Sequence, residues 1–111
     1  MVIQMIGIDI VDIARIGGVL ERHGERFLEK VFAPSEIARV RERKQPQEYL
    51  AGRFAAKEAF MKARGGRLAW RDIEVLSEKG KPFIVYRGRR YDEVSISHER
   101  SYAVSVVILS D

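Results

Sequence analysis

The run Gly52-Arg53-Phe54-Ala55-Ala56-Lys57-Glu58-Ala59-Phe60-Met61-Lys62-Ala63 sets the strongest limit on how this chain can fold. Pro46 opens it and Gly65-Gly66 ends it, so it reads as one long helix, and its Ala and Phe residues leave apolar surface on nearly every side. A helix of that kind is packed in a core, and the rest of the chain has to be built around it. Inside such a helix an ionised carboxylate is costly unless it is paired or metal-bound, which singles out Glu58. On a helical wheel Glu58 lies within about 20° of Ala51, about 60° of Ala55 and about 40° of Lys62. Carboxylate, ammonium and two small side chains share one stripe, which predicts room for a ligand; an acid with a lysine suits a metal-bound phosphate. The rival reading of the same spacing is an i,i+4 surface pair, worth about a few tenths of a kcal/mol.

A second carboxylate is equally out of place. Val2-Ile3-Gln4-Met5-Ile6-Gly7-Ile8-Asp9-Ile10-Val11 has the β-branched content and the period of two of a strand. Ile6, Ile8 and Ile10 fall on one face, and Gly7, Asp9 and Val11 on the other. An Asp in so apolar a strand needs a partner, and Gly7 removes the side chain that would crowd that partner. Capping of the next helix is the competing role, but Asp12 is better placed for it. Asp9 is therefore read as a site residue.

With 111 residues the chain is expected to form a single domain over 1–111. It has no cysteine, which excludes disulfides and thiolate metal sites and gives no sign of an oxidising compartment. The N-terminal apolar run lacks a preceding basic region and is interrupted by Asp9 and Asp12, so neither a signal peptide nor a membrane span is expected, and a cytoplasmic location follows by default. A net charge of +4 and a pI near 9.6 favour anionic partners: nucleic acid, phosphorylated cofactors or acidic proteins. The basic residues cluster at Arg15, Arg22 and Arg26, at Arg39 to Lys44, and at Arg87 to Arg90, each cluster being either a solvated face or a binding surface.

Asp12 can cap a helix with apolar positions Ile13, Ile16, Val19 and Leu20, stopped at Gly24. A short helix through Phe27, Leu28 and Val31 follows, then a break at Ala33-Pro34, a third helical segment around Glu36 to Val40, and a polar loop before Pro46. The remainder reads as two hairpins, 73–76 with 82–86 and 94–97 with 102–109. The order predicts an α+β domain with a mainly antiparallel sheet packed against the long helix.

Taken together, Gly7-Ile8-Asp9-Ile10-Val11-Asp12-Ile13 with Arg15, Phe32 followed by Glu36, the Gly52 to Phe60 block with Lys62-Ala63, Gly80-Lys81-Pro82, and Val94-Ser95-Ile96-Ser97-His98 with Tyr102-Ala103 resemble the holo-acyl-carrier-protein synthases among the 4'-phosphopantetheinyl transferases. They occur in family order and spacing over almost the whole chain, and the Arg-Phe-Ala-Ala-Lys-Glu-Ala block with an N-terminal Gly-x-Asp is their most specific part. The resemblance implies the α+β fold of that family and transfer of the phosphopantetheine arm of coenzyme A to a serine of an acidic acyl carrier protein, with release of adenosine 3',5'-bisphosphate. It implies a homotrimer with active sites between subunits.

Carried onto this chain, Asp9 and Glu58 would hold Mg²⁺, and Lys62 would offset charge on the phosphates. His98 falls at the family's phosphate-contacting histidine; its other reading is a solvated turn residue. Glu58 acting through a metal-bound water is the general base that the resemblance favours, while spacing leaves bulk water and another carboxylate open. Arg53, Lys81 and Pro82 are implied cofactor contacts. Lys57, about 100° from Glu58, is expected to face a different surface or a neighbouring subunit. Arg15, Arg22 and Arg26, with Phe27 as an apolar anchor, are expected to dock the carrier protein. The chain departs from the family at Ala33, where a capping Thr is usual, at Arg64-Gly65-Gly66-Arg67, a shortened turn, and at Lys79, where Asn is common. The alternative function is a small basic RNA-binding module. Against it, the strands lack paired base-stacking aromatics, and such a surface gives no reason to bury Asp9 and Glu58.

Overall fold

The computed structural model describes residues 4–110. The strand β1 runs Gln4–Asp12, so the part of the strand reading at Val2 and Ile3 lies outside the described residues. Helices α1 (Ile13–Val31), α2 (Pro34–Val40) and α3 (Pro46–Arg64) follow, then a 3-10 turn (Trp70–Asp72) and five strands: β2 (Ile73–Glu78), β3 (Lys81–Tyr86), β4 (Arg89–Tyr91), β5 (Val94–His98) and β6 (Tyr102–Ser110).

The local signals act as their chemistry dictates. Asp12 accepts hydrogen bonds from the N–H groups of Ala14 (3.0 Å) and Arg15 (3.4 Å), capping α1. Helix α1 kinks at Gly24, where φ is 48° and ψ −123°, and resumes through Phe27 to Val31. Pro46 opens α3, and the Gly65 N–H closes it on the Met61 carbonyl at 2.7 Å.

Helix α3 is buried almost all round and separates two cores. On one side Leu50, Ala51 and Ala55 meet Val11, Ile16, Leu28 and Phe32. On the other, Ala56, Ala59 and Phe60 meet Ile73, Ile84, Tyr86 and Val107. Small residues on both sides let neighbouring backbones come close, and this is the role of Ala51 and Ala55. Both are fully buried against protein, so they do not make the ligand room that the stripe with Glu58 predicted.

All strand pairs are antiparallel, as expected, but they form two three-stranded sheets, β1-β6-β5 and β2-β3-β4, rather than one. The added strand β4 is short and charged, and its pattern gave no period-two signal. In the β2–β3 hairpin the turn residues Lys79 and Gly80 both take left-handed backbone, φ 52° and 79°. That conformation is easy for Asn and costly for Lys, which explains why Asn suits this position in the family.

The sheet β1-β6-β5 presents Gly7, Asp9 and Val11 to α3 and turns Ile6, Ile8 and Ile10 outward, where they are 67%, 57% and 65% exposed. Opposite them in register stand Ile108, Val106 and Val104 of β6, so the outer face is a continuous apolar surface.

Candidate functional site

Asp9 and Glu58 meet where β1 crosses α3. A Cβ on Gly7 would lie 1.8 Å from the Ala59 carbonyl oxygen, so Gly7 is required by the helix backbone itself. This corrects the expectation that Gly7 makes room for the partner of Asp9. The close crossing instead places Asp9, two residues further along the same face, against the exposed end of α3.

The partner of Asp9 is Lys62, whose Nζ donates to Asp9 Oδ1 and to the Ile8 carbonyl, each at 3.0 Å. The Lys62 side chain is 54% exposed and that of Asp9 16%, so the ammonium faces solvent while neutralising a largely covered carboxylate. Glu58 is half-buried. Its pKa is raised above the usual carboxylate value, first by burial and then by the negative charge of Asp9, with Lys62 and Arg67 opposing the rise. The i,i+4 surface pair of Glu58 with Lys62 is thus not what forms, because the lysine bonds across to the strand.

Glu58 lies on the wall between two cavities. One, of about 280 Å³, is lined by Asp9, Glu58, Phe54, Arg15, Val19 and Phe27. Arg15 and Phe27 of the expected docking set therefore adjoin the two carboxylates, while Arg22 and Arg26 are exposed further along α1. The other cavity, of about 360 Å³, is lined by Glu58, Lys62, Gly65, Gly66, Arg67 and Trp70. The shortened Arg64-Gly65-Gly66-Arg67 turn thus builds a cavity wall and brings a second cation beside Lys62.

His98 and Arg53 come together elsewhere, in a third cavity of about 250 Å³ shared with Arg43, Lys44, Glu48 and Tyr49. The guanidinium carbons of Arg43 and Arg53 sit 4.6 and 4.2 Å from the Tyr49 ring centre, and Arg53 Nη2 donates to Ser77 Oγ at 3.0 Å. Arg53 Nε is buried without a partner. Within one chain, then, the expected site residues divide between this basic cavity and the Asp9–Glu58–Lys62 cluster. Lys81 and Pro82 line none of the three cavities; they begin β3 beside the Lys79-Gly80 turn.

Lys57 faces neither a surface nor a neighbour. It is fully buried, with Nζ 2.7 Å from Glu36 Oε1 and further bonds to the carbonyls of Trp70 (3.1 Å) and Ile73 (2.5 Å). Burial pushes its pKa down and Glu36 opposes that. Glu36, also fully buried, accepts from the N–H groups of Ala33 (2.8 Å) and Val75 (3.1 Å). The carboxylate supplies from within α2 the cap that Ala33 cannot provide. The signal in the sequence was Pro34-Ser35-Glu36, an acid two residues after a helix-opening proline, together with a lysine set among alanines.

Among the described residues no group of three or more His, Cys, Asp or Glu is placed to hold a metal ion. Two carboxylates on one cavity still fit Mg²⁺, which takes one or two carboxylates and completes its shell with phosphate oxygens and water. The mutual repulsion of Asp9 and Glu58, visible in the raised pKa of Glu58, is the kind of strain a cation relieves.

A carboxylate pair contributed by β1 and α3, with Lys62 and Arg67 beside it, is a set of groups suited to a divalent cation and phosphate oxygens. The comparison with known families agrees: the profile of the 4'-phosphopantetheinyl transferase superfamily matches residues 5–107, and the chain belongs to that superfamily. Within it the similarity is to holo-[acyl-carrier-protein] synthases. The Halalkalibacterium halodurans enzyme is 47% identical over 111 residues, covering 93% of this chain and 92% of its own. The crystal structure of the Bacillus anthracis enzyme in complex with CoA (3',5'-ADP) superposes with a TM-score of 0.82 at 35% identity, covering 96% of this chain and 95% of that one. The Helicobacter pylori enzyme in complex with coenzyme A gives 0.81 at 35% identity, covering 96% of this chain and 100% of that one.

Proposed function

We propose that this protein catalyses transfer of the 4'-phosphopantetheine group of coenzyme A to a serine of an apo acyl carrier protein. The observation that carries the reading is the cluster in which Lys62 neutralises Asp9 beside a Glu58 of raised pKa. Asp9 and Glu58 would hold Mg²⁺, which when bound neutralises charge on the coenzyme A diphosphate.

The remaining steps belong to the chain's own side chains. Glu58, acting through a water, would take the proton of the attacking serine hydroxyl as the serine Oγ bonds to the β-phosphorus. The bond from that phosphorus to the bridging oxygen breaks, and adenosine 3',5'-bisphosphate leaves. Lys62 and Arg67, both on the larger of the two Glu58 cavities, stabilise charge on the leaving oxygens. The smaller cavity, with Arg15 and Phe27, receives the acceptor serine; Arg22 and Arg26 extend the positive surface along α1 toward an acidic carrier protein. Among the described residues none of Arg15, Arg22 and Arg26 is ion-paired, so their charge is available for steering.

The homotrimer is what the resemblance implies, and two features support sites built from two chains. The outward apolar face of β1 and β6 is of the kind that marks an association surface. Arg53 and His98, which suit the phosphates at the nucleotide end, are in a different cavity from Glu58, and a second copy is what can bring one set to the other. Lys81 and Pro82 are retained as contacts to the nucleotide end on resemblance alone. No helix among the described residues is long and apolar enough to cross a membrane, and the reaction places the protein in the cytoplasm with its carrier protein.

Incubating the protein with apo carrier protein, coenzyme A and Mg²⁺ tests the proposal through the intact mass of the carrier protein. A gain of one phosphopantetheine is expected; an unchanged mass across a range of bacterial carrier proteins refutes it.

A further inference from the structure

Lys57 spends all three of its N–H donors inside the protein, on Glu36, on the Trp70 carbonyl and on the Ile73 carbonyl. Desolvating an ammonium and a carboxylate is expensive, and a well-packed apolar pair of the same volume often stabilises a fold as well or better. Burial for stability alone therefore accounts poorly for the pair. What it holds is specific. The two carbonyls bracket the 3-10 turn Trp70–Asp72 at its first residue and at the residue just past its end.

That turn ends the connection between α3 and β2, in which Gly65 and Gly66 both have φ of 85°. It is closed by Asp72 N–H to the Ala69 carbonyl at 3.0 Å and by Ile73 N–H to the Trp70 carbonyl, and Leu68 and Trp70 pack on the two cores; Lys57 adds the one side-chain tie to its backbone among the described hydrogen bonds. Yet Trp70 is in a critical place. Its ring stacks on Phe54, with centroids 4.8 Å apart and planes inclined by 24°. Trp70 lines the cavity of Glu58 and Lys62, and Phe54 lines the neighbouring cavity of Asp9 and Glu58. Each ring of the stacked pair thus faces one of the two cavities that Glu58 adjoins, so a shift of Trp70 bears on both.

We propose that Lys57 is a positioning residue for the transfer: held by Glu36, it pins the backbone at Trp70 and Ile73 and so fixes the Trp70–Phe54 wall of the coenzyme A cavity. The inference rests on the transfer reaction proposed above. Adjacent residues of α3 divide the work, Glu58 facing the reacting groups and Lys57 reaching through the core to hold the opposite wall. Glu36 completes the brace, because its two oxygens also tie the start of α2 and strand β2 to the same point.

Trp70 is the only tryptophan in the chain, so its fluorescence reports the wall without turnover. Lys57→Met keeps the stem and removes the ammonium; because it strands Glu36, the neutral pair Lys57→Met/Glu36→Gln serves as the second variant. In folded protein we expect Trp70 to become more accessible to acrylamide, and the KM for coenzyme A to rise by about tenfold with a smaller change in kcat. Trp70→Leu, which keeps the backbone carbonyl, should raise the same KM to a similar degree. Combined with the neutral pair it should add little, since both act through one wall.

A purely structural Lys57 predicts a lower urea midpoint, unchanged quenching and unchanged KM in the folded fraction, and that result overturns the proposal. So does a Trp70→Leu variant with wild-type KM, whether or not the Lys57 variants fold. If the wild-type protein fails to modify any carrier protein, the transfer reading is what fails, and the quenching measurement still decides whether Lys57 holds the wall.

Discussion

Replacing Gly7 by alanine should damage this protein far more than one methyl group normally does. The new Cβ would sit 1.8 Å from the Ala59 carbonyl oxygen, against roughly 3.3 Å for an ordinary contact between carbon and a carbonyl oxygen. Strand and helix must separate by about 1.5 Å, the difference between those two distances, and neither side of the clash can rotate away because both are backbone. Overpacking costs about 1–3 kcal/mol in typical cores, and this contact belongs at the upper end. The gain from restricting the unfolded chain offsets only about 0.4–1 kcal/mol, leaving a net loss of about 2–2.6 kcal/mol. At roughly 4 °C per kcal/mol for a chain of this size, the melting temperature should fall by about 8–10 °C.

Urea titration gives the stability, and carrier-protein mass under saturating coenzyme A gives the activity. Activity per folded molecule should drop as well, since withdrawing β1 carries Asp9 away from Lys62. Gly52→Ala is the control. There the added Cβ meets only the Ile96 Cγ2 at 3.0 Å, a movable methyl, and alanine gains about 1 kcal/mol of helix propensity, so the variant should be near neutral. A Gly7→Ala protein with the wild-type midpoint, or one no worse than Gly52→Ala, refutes the close-packing argument.

The raised pKa of Glu58 means that its carboxyl binds a proton more tightly folded than unfolded, so its contribution to stability is full at low pH and is lost as pH rises through the folded value. Glu58→Gln should therefore lose transfer yet melt higher than wild type near neutral pH, with the gap closing on acidification; a gap that ignores pH contradicts the assignment. Lys62→Ala should lower kcat more than coenzyme A affinity, because charge on the leaving phosphate grows in the transition state, whereas weaker binding at unchanged kcat would make Lys62 a simple anchor. Ile8→Glu on the outward face of β1 should dissociate the assembly on light scattering; an unchanged mass would place the interface elsewhere. Reversing Arg15 and Arg22 to Glu should raise the carrier-protein KM by about tenfold or more and leave coenzyme A affinity nearly unchanged, an effect that salt diminishes. Intact carrier-protein kinetics would move the docking face to the clusters around Arg43 or Arg89.

Where residues punctuate the chain by local rules, the sequence was readable. Pro46 and Gly65 bound α3, Asp12 caps α1, and Gly24 breaks it, all through backbone preferences that act within a few residues. Asp9 and Glu58 stood out because each is a charge where apolar neighbours should exclude one. Contacts between distant elements were not readable in this way. Lys57 and Glu36 are 21 residues apart, and helical spacing says nothing about what lies across a helix interface. The same holds for Gly7, whose neighbour is the backbone of Ala59, and for Lys62, which prefers the strand to the glutamate on its own helix. Arg53 and His98 were each named only through resemblance, and that they share a cavity was not readable, since one is on α3 and the other ends β5. The strand Arg89–Tyr91 was missed because pairing to β3, not its own composition, makes it a strand.

Among the described residues strand β1 has one hydrogen-bonding neighbour, β6, and their register matches Gln4 with Ser110 and Asp12 with Tyr102. During synthesis the first strand therefore emerges long before anything exists for it to pair with. Helices α1 to α3 and the hairpin of β2 and β3 are local enough to form on the ribosome, but Asp9 cannot be set against Lys62 in its final register until Tyr102–Ser110 is released. The Asp9–Lys62 contact therefore waits on β6, and until then the isoleucine-rich strand β1 has no partner in the sheet.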